Sequence, residues 1–251
     1  MSGTMRLDRL LSNLGYGSRR EIQLLANADA ITLDGVPLHK ADQRIALTPD
    51  LPARMKVQGE PLDPLPGIAL LLHKPLGVTC SHKDSGPLVY GLLPMRWRSR
   101  EPAISTVGRL DKETSGMLLL TDDGGLLHRI ISPKSNVAKR YHVTLARPLE
   151  GHEKDALASG TLMLEEEQKP LLPVEMEQLS ENSCYVTLHE GRYHQVRRMF
   201  AALGNHVEVL HRDRIGALDL PADLPAGQFR MMDAAMIAQI FATQHNDETK
   251  A

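Results

Sequence analysis

Cysteine is scarce in this sequence: Cys80 and Cys184 are the only two among 251 residues. They are too few for a disulfide scaffold and too far apart for a metal knuckle. They suit a reducing, cytoplasmic setting, where lone cysteines are mostly small core residues. No apolar run approaches the length that crosses a bilayer, so no membrane partner is expected. The opening Met1-Ser2-Gly3-Thr4-Met5-Arg6 lacks the apolar stretch of a secretion signal. Also missing are a Gly-x-Gly-x-x-Gly fingerprint, a Walker loop and a His-Glu-x-x-His pair. The eleven histidines are scattered, so neither a nucleotide cofactor nor a metal is expected. No internal repeat or low-complexity segment is present, and nothing alternates regularly enough for a barrel or a Rossmann sheet.

What is present is an uneven charge distribution. The formal net charge of −2 argues at first against nucleic acid. Yet no acidic residue lies between Asp123 and Glu150, where Arg129, Lys134, Lys139, Arg140 and Arg147 fall. Arg96, Arg98, Arg100 and Arg109 form a second cluster, and Arg192, Arg197, Arg198, Arg212 and Arg214 a third. Such clusters bind phosphates whatever the total charge; the competing reading is solvated surface charge.

The first sixty or so residues have the pattern of a compact module. Leu7, Leu10, Leu11 and Leu14 recur at the spacing of an amphipathic helix, which Gly15 and Gly17 end. Ser18 with Glu21 predicts a capping box opening a second helix, whose buried face is Ile22, Leu25 and Ala26. Ile31 to Leu33 predicts a strand, and Asp34-Gly35 a tight hairpin turn. Arg6, Arg9, Arg19 and Arg20 decorate the helices within reach of phosphates. The order of elements, carried by Arg6-Leu7-Asp8, Gly17-Ser18-Arg19-Arg20 and Ile31-Thr32-Leu33-Asp34-Gly35, resembles the S4 (α-L) RNA-binding domain. A small helical domain that binds protein is the alternative. Pro61-Leu62-Asp63-Pro64-Leu65-Pro66-Gly67 then sustains neither helix nor central strand, and predicts a stiff linker. The expected division is 1–62 and 63–251.

Strands and helices interleave in the second part. Ile68–Leu72 and Met117–Leu120 are short apolar runs that suit buried strands. Tyr141, Val143 and Leu145 alternate with polar residues, as in a strand with one covered face, and Cys184–Leu188 is similar. A helix is predicted from about His194, with Val196, Met199, Phe200 and Leu203 inward and Gly204-Asn205 as its stop.

The most informative segment runs Gly108-Arg109-Leu110-Asp111-Lys112-Glu113-Thr114-Ser115-Gly116-Met117-Leu118-Leu119-Leu120-Thr121-Asp122-Asp123-Gly124. It is a glycine-bounded loop feeding an apolar strand, a good place to hold a functional group rigidly. Arg109 and Lys112 favour an ionised Asp111, which can act as nucleophile or base. From the local sequence alone, a surface aspartate in a turn is the better account, because charged loops are common.

This segment resembles the motif of the pseudouridine synthases that modify ribosomal RNA. Leu72-His73-Lys74-Pro75, Lys139-Arg140-Tyr141-His142-Val143 and Glu190-Gly191-Arg192-Tyr193-His194-Gln195-Val196-Arg197-Arg198-Met199 resemble further segments of that family, in its order. The layout is that of the RsuA branch, and Tyr193-His194-Gln195 looks most like the enzymes of small-subunit (16S) RNA. The resemblance implies an α+β fold with a mixed, largely antiparallel catalytic sheet. It implies an isomerase that converts a uridine of 16S ribosomal RNA, free or in an assembly intermediate; a monomer is expected because no apolar surface helix stands out.

Isomerisation breaks the N1–C1′ bond, turns the uracil and makes a C5–C1′ bond, without redox change. The resemblance implies that Asp111 is the carboxylate, whether it attacks C1′, adds to the base or removes the 2′ proton. A stacked base is out of reach, so the nucleotide must be flipped out. Arg109 would then fill the vacated space or hold the adjacent phosphate. Tyr141 offers an aromatic face for the uracil. A carboxylate in a closed pocket needs a partner. The residues leave Arg197 and Arg198 open as that partner, and the family motif selects Arg197. Lys74, Lys139, Arg140, Arg192, His194, Gln195 and Arg198 are expected to contact RNA. The rivals are a non-catalytic RNA-binding or ribosome-assembly protein, the same chemistry on 23S RNA, and a small-molecule hydrolase using Asp111.

Overall fold

The computed structural model describes residues 3–81 and 83–242, so the outer ends of the division expected at 1 and 251 lie outside the described residues. The chain separates into two units. One takes the N-terminal stretch through Ala69 together with Leu93–Ser105 and Thr121–Gly124. The other takes Leu70–Leu92, Thr106–Leu120 and the chain from Gly125 onward.

In the first unit, helix Leu7–Asn13 buries Leu7, Leu10 and Leu11. Helix Arg19–Asn27 begins at the expected capping box: Glu21 N donates to Ser18 Oγ at 3.3 Å, and Ser18 N donates to Glu21 Oε2 at 2.7 Å. Each carries an amide that the first helical turn leaves unpaired. Ser18→Ala is expected to cost about 1 kcal/mol, read as a lowered denaturation midpoint at unchanged m-value. Strand Ile31–Leu33 pairs with Val36–Pro37 across Asp34-Gly35. Both turn residues have positive φ, 51° and 80°, as the two-residue hairpin requires. Leu14, Ile22, Ala26, Ile31, Met55 and Val57 close the core.

One expectation is sharpened here and one fails. The proline-rich stiff linker is not free-standing. Leu62 is buried, Asp63 N donates to Tyr16 Oη at 3.0 Å, and the Asp63 carboxylate accepts from Arg96 Nε at 2.6 Å. Prolines set its path and side chains anchor it. Nor is Arg100 part of a phosphate-binding cluster. Its Nη2 lies 3.2 Å from Asp122 Oδ2, with 1% and 0% of the two side chains exposed. Asp122 Oδ1 also accepts from Gly67 N and Ile68 N at 2.8 and 2.9 Å. A buried guanidinium needs this partner.

The second unit carries a nine-stranded sheet among the described residues. Its main path runs Glu175–Ser180, Ser183–Leu188, Lys139–Leu145, Val207–Ile215, Thr114–Thr121, Ala69–Lys74, Phe229–Met231. Leu218–Asp219 pairs beside Val207–Ile215, and Ser105–Val107 beside Thr114–Thr121. Val207–Ile215 runs antiparallel to Lys139–Leu145 and parallel to Thr114–Thr121. The chain is therefore α+β with a mixed, largely antiparallel sheet. One face of the sheet packs Val143, Leu145, Cys184, Val186 and Leu210 against Val196, Met199 and Phe200 of helix Gln195–Ala202. Both cysteines are free and buried, and burial pushes the Cys184 thiol up to about 12. No described helix is long and apolar enough to cross a membrane.

Candidate active site

The loop holding Asp111 connects strand Ser105–Val107 to strand Thr114–Thr121. Its carbonyls gather donors: Asp111 O accepts from Thr114 N at 3.1 Å and Lys112 O from Gly77 N at 2.9 Å. Lys74 adds a charged donor to both. It ends strand Ala69–Lys74 and is 0% exposed. Its Nζ donates to Asp111 O at 3.0 Å, Lys112 O at 3.4 Å, Thr114 O at 2.8 Å and Pro75 O at 3.1 Å. Burial pushes the ammonium below the usual lysine range, while Asp111 and Glu113 pull it the other way. Lys74 is therefore no RNA contact: its charge is spent on the loop.

Arg197 also departs from expectation. It makes no ion pair with Asp111; its Nη1 donates to Val207 O at 2.8 Å and its Nη2 to Glu113 O at 2.9 Å. Between them, Lys74 and Arg197 hold the four consecutive carbonyls of residues 111–114. The neighbour of the Asp111 carboxylate is His194, with Nε2 3.4 Å from Oδ1. His194 sits in the left-handed region at φ 47°, just before helix Gln195–Ala202. Its ring stacks on Tyr193 at 3.9 Å, and Tyr193 is 73% exposed.

Asp111, Arg109, Lys139, Tyr141, Tyr193 and His194 all line one cavity of about 490 Å³. Lys139 and Tyr141 alternate with Arg140 on strand Lys139–Leu145, and Arg140 is not on the cavity wall. It pairs instead with Asp213 at 2.6 Å and lies over the Tyr185 ring. The Lys139 ammonium donates to Val137 O at 2.9 Å. Burial, then the Arg212 charge, pushes it below the usual lysine range. Arg109 is exposed and makes no hydrogen bond or ion pair among the described residues, which leaves its guanidinium available.

Three residues expected at the RNA are tied into the protein. Arg192 reaches Glu190 Oε2 at 3.1 Å, Glu167 Oε2 at 3.3 Å, Lys169 O at 2.7 Å and Pro170 O at 2.6 Å. Gln195 is buried, accepts from Arg192 N at 2.9 Å and donates to Glu190 Oε1 at 3.1 Å. Arg198 pairs with Glu167 Oε1 at 3.1 Å and also donates to Glu165 O. Glu167, which carried no signal in the sequence, joins the two arginines. In the N-terminal unit, Arg6 pairs with Asp8 at 2.8 Å. The side chains of Arg9, Arg19 and Arg20 are exposed and make no hydrogen bond or ion pair among the described residues.

Sequence reasoning missed Arg212 as a site residue, counting it only within a basic cluster. It is 3% exposed and lies on the cavity wall. Its Nε donates to Met117 O at 2.8 Å and its Nη1 to Tyr141 Oη at 3.3 Å. The glycine of Thr114-Ser115-Gly116 makes this possible. At φ +109°, a Cβ on Gly116 would meet Arg212 O at 2.2 Å.

The Asp111 carboxylate and Tyr141 line one cavity over a mixed sheet, the arrangement of an enzyme's active site. The model of the RNA pseudouridylate synthase family matches residues 68–202. The chain belongs to that family, in its RsuA branch, and is an isomerase. Ribosomal small subunit pseudouridine synthase A of Pasteurella multocida is 39% identical over 93% of this chain and 98% of its own length. The uncharacterized RNA pseudouridine synthase YtzG of Bacillus subtilis is 38% identical over 90% of this chain and 94% of its own. A crystal structure of a pseudouridylate synthase, 34% identical, matches with a TM-score of 0.65 over 94% of this chain and 99% of that one.

Proposed function

We propose that the protein converts one specific uridine of 16S ribosomal RNA to pseudouridine, with Asp111 as the catalytic carboxylate. The observation that carries this is the Asp111 carboxylate in a 490 Å³ cavity whose wall includes the Tyr141 ring. A cavity of this size takes one nucleoside, and base flipping brings the uridine in. Tyr141 stacks on the base, and the unpaired Arg109 takes the vacated space or the neighbouring phosphate. Residues 1–62 act as an S4 RNA-binding domain, in which Arg9, Arg19 and Arg20 meet phosphates, and 63–251 as the catalytic domain. The small-subunit target is supported by relatives named for it at 35–39% identity over nearly their whole length. The protein works as a cytoplasmic monomer on free RNA or on an assembling subunit.

The test is incubation with unmodified small- and large-subunit ribosomal RNA, each with and without ribosomal proteins. Pseudouridine is mapped by carbodiimide modification and primer extension, with Asp111→Ala alongside. One new site in small-subunit RNA, absent with the variant, is expected. A site in large-subunit RNA alone would move the substrate, and no site in any RNA would sink the reading.

A further inference from the structure

Six buried side-chain polar atoms lack a partner among the described residues, and two of them, Thr114 Oγ1 and Arg212 Nη2, belong to cavity-lining residues. Thr114 is 1% exposed and Arg212 3%. The register puts both on one face of the sheet: Thr114 opposes Leu210 and Gly116 opposes Arg212. Residues two apart on a strand share a face, and Gly116 adds no side chain between them. A buried guanidinium N–H pair and a buried hydroxyl left unmade are costly, and native proteins keep such groups where a ligand completes them.

We infer that Thr114 and Arg212 read the imide edge of the flipped uracil, Arg212 donating to a ring carbonyl and Thr114 accepting from the N3–H. This rests on the base-flipping reading above and adds its selectivity. An imide presents a donor between two acceptors, which matches a hydroxyl acceptor flanked by a guanidinium donor. Cytosine presents an unprotonated N3 and an amine, so its amine would face guanidinium N–H groups. A site that leaves its polar groups unpaired with the wrong ligand rejects it strongly. A phosphate would want more donors than one N–H pair and one hydroxyl. Both orphaned atoms are closed to solvent in the free protein, so engagement takes a side-chain rotation of the kind that binding commonly brings.

The test uses a hairpin around the mapped target, with uridine, cytidine or N3-methyluridine at the target position and 2-aminopurine beside it to report flipping. Wild type is expected to capture uridine and neither analogue. Thr114→Val should slow single-turnover conversion of uridine about 10–100-fold, the worth of one buried hydrogen bond, and should bring the uridine-to-cytidine capture ratio towards one. Thr114→Ser and Arg212→Lys, which keep the hydroxyl and the charge, should hold that ratio within about threefold of wild type. Capture of N3-methyluridine by wild type as well as uridine overturns the inference without any variant, whatever the variants' stability. So does a Thr114→Val protein with the wild-type capture ratio. A wild type inactive on every RNA is a different result, and counts against the proposed function itself.

Discussion

Asp111→Asn is expected to lower pseudouridine formation by about 10³-fold or more, with RNA affinity and melting temperature near wild type. The substitution keeps the shape of the side chain and removes only its capacity to attack or to take a proton. The loop around it does not depend on the carboxylate. Its backbone is held through carbonyls by Lys74 and Arg197, and among the described residues the carboxylate itself meets His194, at 3.4 Å. Losing a contact of that length on a half-exposed site costs at most about 1 kcal/mol. Single-turnover conversion of the mapped RNA reads the rate, and filter binding of the same RNA reads affinity. A variant that keeps more than about a tenth of the rate would remove Asp111 from the chemistry.

This near-independence of loop and carboxylate was not legible in the sequence, although much around it was. Leu7, Leu10, Leu11 and Leu14 show the first helix by spacing, Ser18 and Glu21 its neighbour's start, and Tyr141, Val143 and Leu145 a strand by alternation. These are local signals, and local chemistry realises them. Strand Val207–Ile215 gave no such signal, though it lies in the middle of the sheet. Glu208, His211, Asp213 and Arg214 break its apolar pattern, and Arg212 hides a buried position behind a charge. Helices Gly124–Ile131 and Ala234–Phe241 passed unremarked as well. The cations were harder still. A lysine or arginine in a motif reads as an RNA contact, because sequence shows its charge and not its target. Arg9, Arg19, Arg20 and Arg109 keep that reading open in the structure. Lys74, Arg192 and Arg198 end on carbonyls and carboxylates of the protein itself, and Arg197, expected as the partner of Asp111, ends on carbonyls too.

Lys74 is where these two readings of a cation part most sharply. Lys74→Met is expected to destabilise the catalytic unit by about 2–4 kcal/mol: the three N–H groups of the ammonium, shared among four carbonyls, make charged hydrogen bonds worth roughly 1.5–3 kcal/mol each, and the several kcal/mol of desolvating the ammonium are offset against them. In a unit of this size that lowers its melting transition by roughly 4–16 °C. Activity below that temperature should fall about 10²-fold, because three carbonyls that lose the ammonium let the Asp111 loop drift, and a misplacement of about 1 Å costs that much. Both losses should appear with the salt dependence of RNA binding unchanged. A phosphate contact behaves oppositely: its removal leaves the melting transition in place, weakens binding, and lowers the slope of log affinity against log salt by about one. Melting and a salt titration on one variant therefore separate the lysine that builds the loop from the lysine that grips the RNA. A stable Lys74→Met protein with a shallower salt slope would return Lys74 to the RNA and leave the loop's rigidity to Arg197 and the turn alone.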